Sequence, residues 1–221
     1  MERAEAVAKL QGLIGRDLRG LATDFGITVF KDGKKNKGWA GHVIERYLGL
    51  PLNSSRSPNF GSWELKVFPV KDRNGKLQVK ETIAITMLDP HEVLAKSFTE
   101  SHLYNKLRKV LVVSRIFESV HEERSVVFSL GEFDLGNSHV FERAKADYDL
   151  IRETIREKGF GALSGRLGQV IQPRTKGPGH GSTSRAFYAR TGFVHEIAGL
   201  DMMSMSNWSR GHNGVWSYAP P

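Results

Sequence analysis

The chain has 221 residues, and its 32 Lys and Arg against 24 Asp and Glu give a formal net charge of +8. With 39% hydrophobic and 25% charged residues it has a globular composition, and the lack of cysteine excludes disulfides, cysteine-ligated zinc, iron–sulfur clusters and thiol catalysis. No apolar stretch approaches the roughly 18 residues of a membrane span, and the charged N-terminal segment is unlike a signal peptide. We therefore expect a cytoplasmic protein with no membrane partner, and the basic excess favours a polyanionic partner, nucleic acid first.

The first half of the chain changes from helical to strand periodicity. Apolar spacing predicts two short helices within residues 7–25 and a third from about Gly38 to Leu48, with a basic loop over 31–37 between them. Alternation then predicts a strand over 61–70. The Asn-Gly pair at 74–75 predicts a hairpin whose return strand runs over 77–87, with Ile83, Ile85 and Met87 on one side.

The second half interleaves strands with helices. The patterns predict a short basic helix at 101–109, strands at 110–113 and 125–130, an amphipathic helix at 142–158, strands at 169–173 and 185–190, and a final helix at 194–202. The tail that follows gives no placeable pattern. Helices first and then a mixed sheet with helices indicate an α+β or mixed α/β fold, and the lack of a long linker indicates one domain over 1–221.

One triplet, Glu64-Leu65-Lys66, has a pattern suited to phosphodiester hydrolysis. Residues two apart on a strand point the same way, so the carboxylate and the ammonium would project from one face. A carboxylate can hold Mg²⁺, and a nearby lysine can orient or activate water. The alternative is a solvent-exposed ion pair. Glu45 on the preceding helix, Lys106 in the basic helix and Asn59 just ahead of the strand favour a site when taken together.

A second candidate surface is the basic, glycine-rich region around residues 174–190. Arg and Lys donate to guanine, and glycine lets the backbone approach phosphates, so Arg174, Lys176 and Arg185 are candidates for base reading. The alternative is an ordinary surface loop. The basic loop that contains Lys37 suits phosphate contact better than base reading.

Five segments in this order resemble the MutH-type endonucleases, which comprise a mismatch-repair nicking enzyme and related GATC-cutting restriction enzymes. The segments are Asn36–Gly49, Trp63–Val70, Glu100–Val110, Gly168–Gly177 and Arg185–Arg190. The resemblance implies a restriction-endonuclease-like core of the PD-(D/E)xK type, with catalytic residues mainly in 36–110 and DNA-reading residues mainly in 168–190. It also implies two arms that form a DNA-binding cleft.

The resemblance also implies roles for individual residues. It assigns the helix glutamate to Glu45, the strand pair of the Asp…Glu-x-Lys signature to Glu64 and Lys66, and the downstream active-site lysine to Lys106. It further assigns base reading to Arg174 and Lys176, and adenine-methylation sensing to Tyr188.

The chain departs from this family pattern at the first metal-binding aspartate, which is matched by Asn59. Its spacing from Glu64 resembles that in the restriction enzymes MvaI and BcnI. Asn59, Glu64 and Glu45 are therefore the candidate ligands of Mg²⁺, or of Mn²⁺ as its substitute. A neutral amide removes one negative charge from the ion's ligands, so we expect weak metal binding and little cleavage. Either an aspartate was replaced to trap bound DNA, or the enzyme is naturally impaired.

The sequence thus predicts a Mg²⁺-dependent, sequence-specific endonuclease of double-stranded DNA, with GATC as a candidate site and a restriction or mismatch-repair role. It would act as a monomer or a transient dimer on DNA, and a repair role would add a mismatch-repair protein partner. The alternatives are a DNA-binding protein without turnover on the same fold and, less favoured, a basic structural domain.

Overall fold

The structure is a computed structural model that describes residues 1–49, 61–177, 183–200, 203 and 205–220. The helices in these ranges are α1 (Arg3–Gln11), α2 (Leu18–Asp24), α3 (Trp39–Tyr47), α4 (Pro90–Ala95), α5 (His102–Leu107), α6 (Phe141–Lys158) and α7 (Thr191–Ile197). The strands are β1 (Phe30–Lys31), β2 (Lys34–Lys35), β3 (Glu64–Arg73), β4 (Lys76–Val79), β5 (Ile83–Leu88), β6 (Val110–Ile116), β7 (Val127–Phe133), β8 (Ile171–Thr175), β9 (Arg185–Ala189), β10 (Trp208–Arg210) and β11 (Trp216–Tyr218). Among the described helices, none has the length and apolar character needed to cross a membrane.

Two sheets organise these elements, and together with the helices they confirm the predicted mixed α/β class. The larger sheet has the order β4-β3-β6-β7, in which β3 and β6 are parallel and the other neighbours are antiparallel. The smaller sheet has the order β5-β9-β8 and is antiparallel throughout. The remaining strands form two separate hairpins, β1-β2 and β10-β11.

The alternation along β3 sends its side chains into two different hydrophobic cores. Leu65 packs with the N-terminal helices α1 to α3, whereas Phe68 and Val70 pack in the larger core with the smaller sheet and α6. The central sheet is therefore covered by apolar side chains on both faces. Because residues two apart share a face, Glu64 and Lys66 project to the same side as Phe68.

Two predicted elements of the first half were wrong in detail. The basic segment 31–37 is largely the β1-β2 hairpin instead of a loop, because Asp32 and Gly33 have positive φ angles of 50° and 70° that suit a tight turn. The predicted return strand over 77–87 is divided between β4 and β5, which lie in different sheets. A register shift between Ala84 and Thr86 then places Met87 away from the core, and its side chain is 40% exposed.

The C-terminal tail, which the sequence left unplaced, docks onto the central sheet as the β10-β11 hairpin. The indole of Trp216 donates to Asp72 on β3 at 2.9 Å, and Arg210 forms an ion pair with the same carboxylate at 2.6 Å. Burial alone would raise the pKa of Asp72, but hydrogen bonds from Gly75 and Trp216, with the charge of Arg210, hold the pKa below its usual value. The final helix was predicted at 194–202, but it begins at Thr191 and ends at Ile197.

One buried carboxylate fixes the start of β8. Asp147 on α6 accepts hydrogen bonds from the backbone amides of Gln169, Val170 and Ile171 at 2.7, 2.7 and 2.8 Å. Gly168 has a φ of 78°, and a Cβ there would lie 1.8 Å from the carbonyl oxygen of Ile171, so the loop requires glycine. The long helix and β8 are therefore joined by charge-assisted hydrogen bonds as well as apolar packing.

We expect Asp147→Ala to lower the free energy of unfolding by about 3 kcal/mol or more, because three amides, two of them buried, would lose their acceptor. Urea denaturation measures this change. Asp149→Ala is the matched control, since Asp149 is on the same helix but exposed and paired with Lys145. If the two variants were equally stable, the three amide bonds would contribute nothing to folding.

Candidate active site

The carboxylate of Glu64 is the centre of the candidate site. Glu64 is the first residue of β3, it pairs with Val110 of β6, and its backbone amide donates to the carbonyl of Lys109 at 2.8 Å. Its side chain is 2% exposed. The parallel pairing of β3 with β6 therefore sets the depth at which this acid is held.

Two lysines contact this carboxylate, one at each oxygen. Lys66 Nζ lies 2.8 Å from Oε1, and Lys106 Nζ lies 2.8 Å from Oε2. Two ammonium groups and one carboxylate leave a local charge of about +1, which suits a phosphate or another oxyanion. The structure thus brings together three of the predicted catalytic residues.

Local structure explains how Lys106 reaches this position. The helix α5 begins at Ser101, whose hydroxyl accepts from the amide of Tyr104 at 3.1 Å. Glu92 accepts from the amide of His102 at 2.9 Å, so a carboxylate also stabilises the helix start. Lys106 is in the last turn of α5, and only 7% of its side chain is exposed.

The other lysine, Lys66, lies at the contact between the two sheets. It lines a small cavity of about 20 Å³ together with apolar side chains of both sheets, including Phe68 on β3 and Ile83 on β5. Water is largely excluded from such a lining, and charges interact more strongly where water is scarce. Glu64 and Lys66 therefore form a largely buried ion pair. The alternative reading of the triplet, a solvent-exposed ion pair, does not hold.

The two remaining predicted catalytic residues stay predictions. Glu45 is half-buried on α3, and α3 packs against β3, so the helix that carries this acid lies beside the strand that carries Glu64. Asn59 lies outside the described residues.

The described residues alone do not complete a metal site. In the part of the chain that the structure describes, no group of three or more His, Asp or Glu side chains is placed to share an ion. The carboxylate of Glu64 is a suitable oxygen donor for a hard cation, but both of its oxygens contact lysines. A bound cation would therefore compete with Lys66 and Lys106 and would need ligands from Glu45 and position 59.

The basic hairpin β1-β2 is anchored by a buried acid that the sequence analysis missed. Glu122 is 1% exposed; it forms an ion pair with Lys35 on β2 and accepts from Arg115 at 2.6 Å and 3.2 Å. Burial alone would raise the pKa of Glu122, but Arg115 and Lys35 outweigh it and lower the pKa. Arg115 also lies 5.2 Å from the ring centre of Trp39, the first residue of α3. The exposed Lys37 therefore lies between two fixed elements.

The predicted base-reading residues are divided between the two faces of the smaller sheet. Arg174 and Tyr188 share one face, and the guanidinium lies 5.5 Å from the ring centre. Arg185 is on the opposite face, where it lies 5.7 Å from the ring centre of Phe160 and donates to Gly161. Lys176 is exposed just beyond the end of β8. Arg174 and Tyr188 are thus together, and Arg185 is apart from them.

Arg190, in the same basic region, is used by the fold. Its guanidinium donates to three backbone carbonyls, those of Gly168, Gly165 and Leu167, at 3.0, 2.9 and 3.1 Å. These bonds hold the carbonyls of the loop that precedes β8, and Asp147 holds the amides that follow them. A basic residue in this region therefore does not by itself indicate a ligand contact.

The family described as "MutH: DNA mismatch repair enzyme MutH" matches residues 48–147, a range that contains Glu64, Lys66 and Lys106. The DNA mismatch repair protein MutH of Vibrio campbellii is 28% identical over 217 residues, which cover 88% of this chain and 92% of that protein. The protein of the same name from Pasteurella multocida is 27% identical, covering 87% of this chain and 93% of that protein.

Among solved structures, the chain is similar to that titled "Restriction endonuclease MvaI-cognate DNA substrate complex". The sequence identity is 12%, the TM-score is 0.39, and the likeness covers 89% of this chain and 97% of that chain.

The family match and the aligned relatives bear out the class predicted from the sequence, a DNA endonuclease similar to MutH, and the buried Glu-x-Lys pair with its second lysine lies on a mixed sheet within the matched range. The family likeness is to the MutH-type endonucleases, and the predicted resemblance is confirmed by the family match and by relatives that align over most of the chain. The two arms, the single domain and the roles of individual residues stay predictions.

We expect Glu64→Leu to lower the free energy of unfolding by about 3–5 kcal/mol, because it leaves the Lys106 ammonium buried without its carboxylate. The double variant Glu64→Leu/Lys106→Met should recover most of this loss, since a buried ion pair can be replaced by apolar side chains at little cost. Urea denaturation of both variants measures the difference. A double variant no more stable than the single one would contradict this explanation.

Proposed function

We propose that the protein is a Mg²⁺-dependent, sequence-specific endonuclease that hydrolyses phosphodiester bonds of double-stranded DNA. The observation that carries the proposal is the Glu64 carboxylate held between Lys66 and Lys106. The net charge of +8 favours a polyanionic substrate, and the relatives are named DNA mismatch repair proteins. The family likeness supports GATC as the candidate site and leaves a restriction role and a repair role both open.

Each charged residue of the site has a proposed task. Glu64, with Glu45 and position 59, would hold the cation. The ion, when bound, supplies positive charge that polarises the phosphate and lowers the pKa of bound water. Lys66 would orient the attacking water, because its ammonium can donate a hydrogen bond to the water oxygen. Lys106 would stabilise the charge of the phosphate and fix the orientation of Glu64.

Asn59 favours a second candidate function, a DNA-binding protein without turnover. A neutral amide in place of a carboxylate removes one negative charge from the proposed ligand set, so the two lysines compete more effectively for Glu64. The chain would then bind its site and cut it slowly or not at all. An aspartate at this position would distinguish the two functions.

We expect Asn59→Asp to increase cleavage of plasmid DNA in the presence of Mg²⁺ or Mn²⁺, because the added carboxylate strengthens cation binding. The digestion should use methylated and unmethylated DNA of known sequence, with the cut ends mapped. This measures activity, recognition site and methylation dependence together.

The matched control is the double variant Asn59→Asp/Glu64→Gln, which should lose the gain because the central carboxylate is absent. If Asn59→Asp binds DNA but yields neither nicked nor linear product with either ion, the binding function replaces the endonuclease.

Base reading is proposed for the face of the smaller sheet that carries Arg174 and Tyr188. Arg174 donates to the hydroxyl of Thr82 at 2.8 Å and lies against Tyr188, so its guanidinium is held in one direction. A guanidinium fixed in this way can donate two parallel hydrogen bonds to guanine. Arg185, on the opposite face, is assigned a structural role.

We expect Arg174→Gln to reduce discrimination at one base pair of the site by about 1–3 kcal/mol, because one bidentate contact would be lost. Binding to a panel of duplexes, each with one base pair changed, measures this loss. Arg156→Gln is the control, because Arg156 is an exposed arginine on α6 that pairs with Glu153. Equal weakening on every duplex would make Arg174 a phosphate contact instead.

A further inference from the structure

Four consecutive residues, Lys80 to Ile83, touch three functional regions that are far apart in the sequence. The ammonium of Lys80 lies 4.4 Å from the ring centre of Phe117, and the same ring lies 5.6 Å from the ammonium of Lys35 on the basic hairpin. Contacts of Thr82 and Ile83 connect the same segment to the base-reading face and to the catalytic pair. This segment therefore lies where the three regions meet.

Thr82 connects the segment to the smaller sheet, since its hydroxyl accepts from Arg174 at 2.8 Å. Ile83 connects it to the active site, since its side chain lines the same small cavity as Lys66. Three extended residues span at most about 11 Å, so Lys80 is close to both. Each strand of duplex DNA carries one phosphate per roughly 3.4 Å of helix axis. A duplex positioned on Lys66 and Arg174 would therefore place phosphates beside Lys80.

The position of Lys80 suits an anion contact. Its amide donates to the carbonyl of Pro69 at 3.0 Å, which fixes the backbone, and 27% of its side chain is exposed. It lines a surface depression of about 300 Å³ that also contains Arg73 and His195. The carboxylate of Glu81 lies 3.8 Å away and is largely exposed, so water weakens this pairing.

The ring of Phe117 positions this charge without neutralising it. A cation over an aromatic face is attracted by the ring but keeps its full charge. Lys35, on the same ring, is instead paired with the buried Glu122. Of the two lysines on Phe117, Lys80 is the one that lines the depression.

We propose that Lys80 binds a backbone phosphate of the duplex, a few nucleotides from the phosphodiester bond at Glu64 and Lys66. The inference rests on the proposed function, because it takes double-stranded DNA as the ligand. It adds a contact that joins the basic hairpin to the base-reading face.

The test is the salt dependence of binding to a duplex that contains the mapped site and to an unrelated duplex. Lys80→Met keeps an apolar side chain against Phe117 and removes the charge. The slope of the logarithm of the binding constant against the logarithm of salt concentration should become about 0.9 less negative, and both duplexes should be weakened equally. Lys80→Arg should keep the original slope.

Lys145→Gln is the matched control, because Lys145 is an exposed lysine on α6 paired with Asp149, and its slope should not change. Thermal unfolding of each variant separates a binding effect from a folding effect. An unchanged slope for Lys80→Met overturns the inference, and so does a loss confined to the duplex with the site. Cleavage by Asn59→Asp is independent of this slope, so the inference and the endonuclease function can fail separately.

Discussion

The contact of one carboxylate with two ammonium groups is the interaction on which the centre of this protein depends. A carboxylate as deeply buried as Glu64 would be costly without compensation, and Lys66 and Lys106 supply it at both oxygens. The compensation requires β3 and α5 to be correctly placed, and the pairing of β3 with β6 provides that placement. The same three side chains are therefore needed both for the stability of the fold and for the proposed chemistry.

Other charged side chains with partners inside the protein anchor the segments that are proposed to contact DNA. Glu122 holds the basic hairpin, while Asp147 and Arg190 hold the loop before β8 through backbone amides and carbonyls. These charges have their partners within the protein, so the net charge of +8 does not measure how many cations are available to a ligand. What matters for a polyanion is which lysines and arginines remain exposed, such as Lys37 and Arg174.

Much of the candidate site could be predicted from the sequence, because it depends on local periodicity. Alternation alone predicts that Glu64 and Lys66 lie on one face of a strand, and in the structure they lie on one face and form an ion pair. The division of residues 77–87 between two sheets could not be predicted. Polar and apolar residues alternate in both halves of this segment, and only the pairing with other strands separates them. Asp147 was overlooked within a charged helix, although it shares a helical face with the buried Tyr148 and Ile151. That spacing was the available signal.

The parallel arrangement of β3 and β6 has a consequence for how the site comes into existence. Parallel neighbours need a long crossover, and here the intervening chain contains two further strands and two helices. Glu64 and Lys106 are 42 residues apart, so the acid meets its second lysine only after that crossover has closed. A nascent or partly folded chain therefore lacks the assembled charges, and the candidate site is complete only when the sheet has formed.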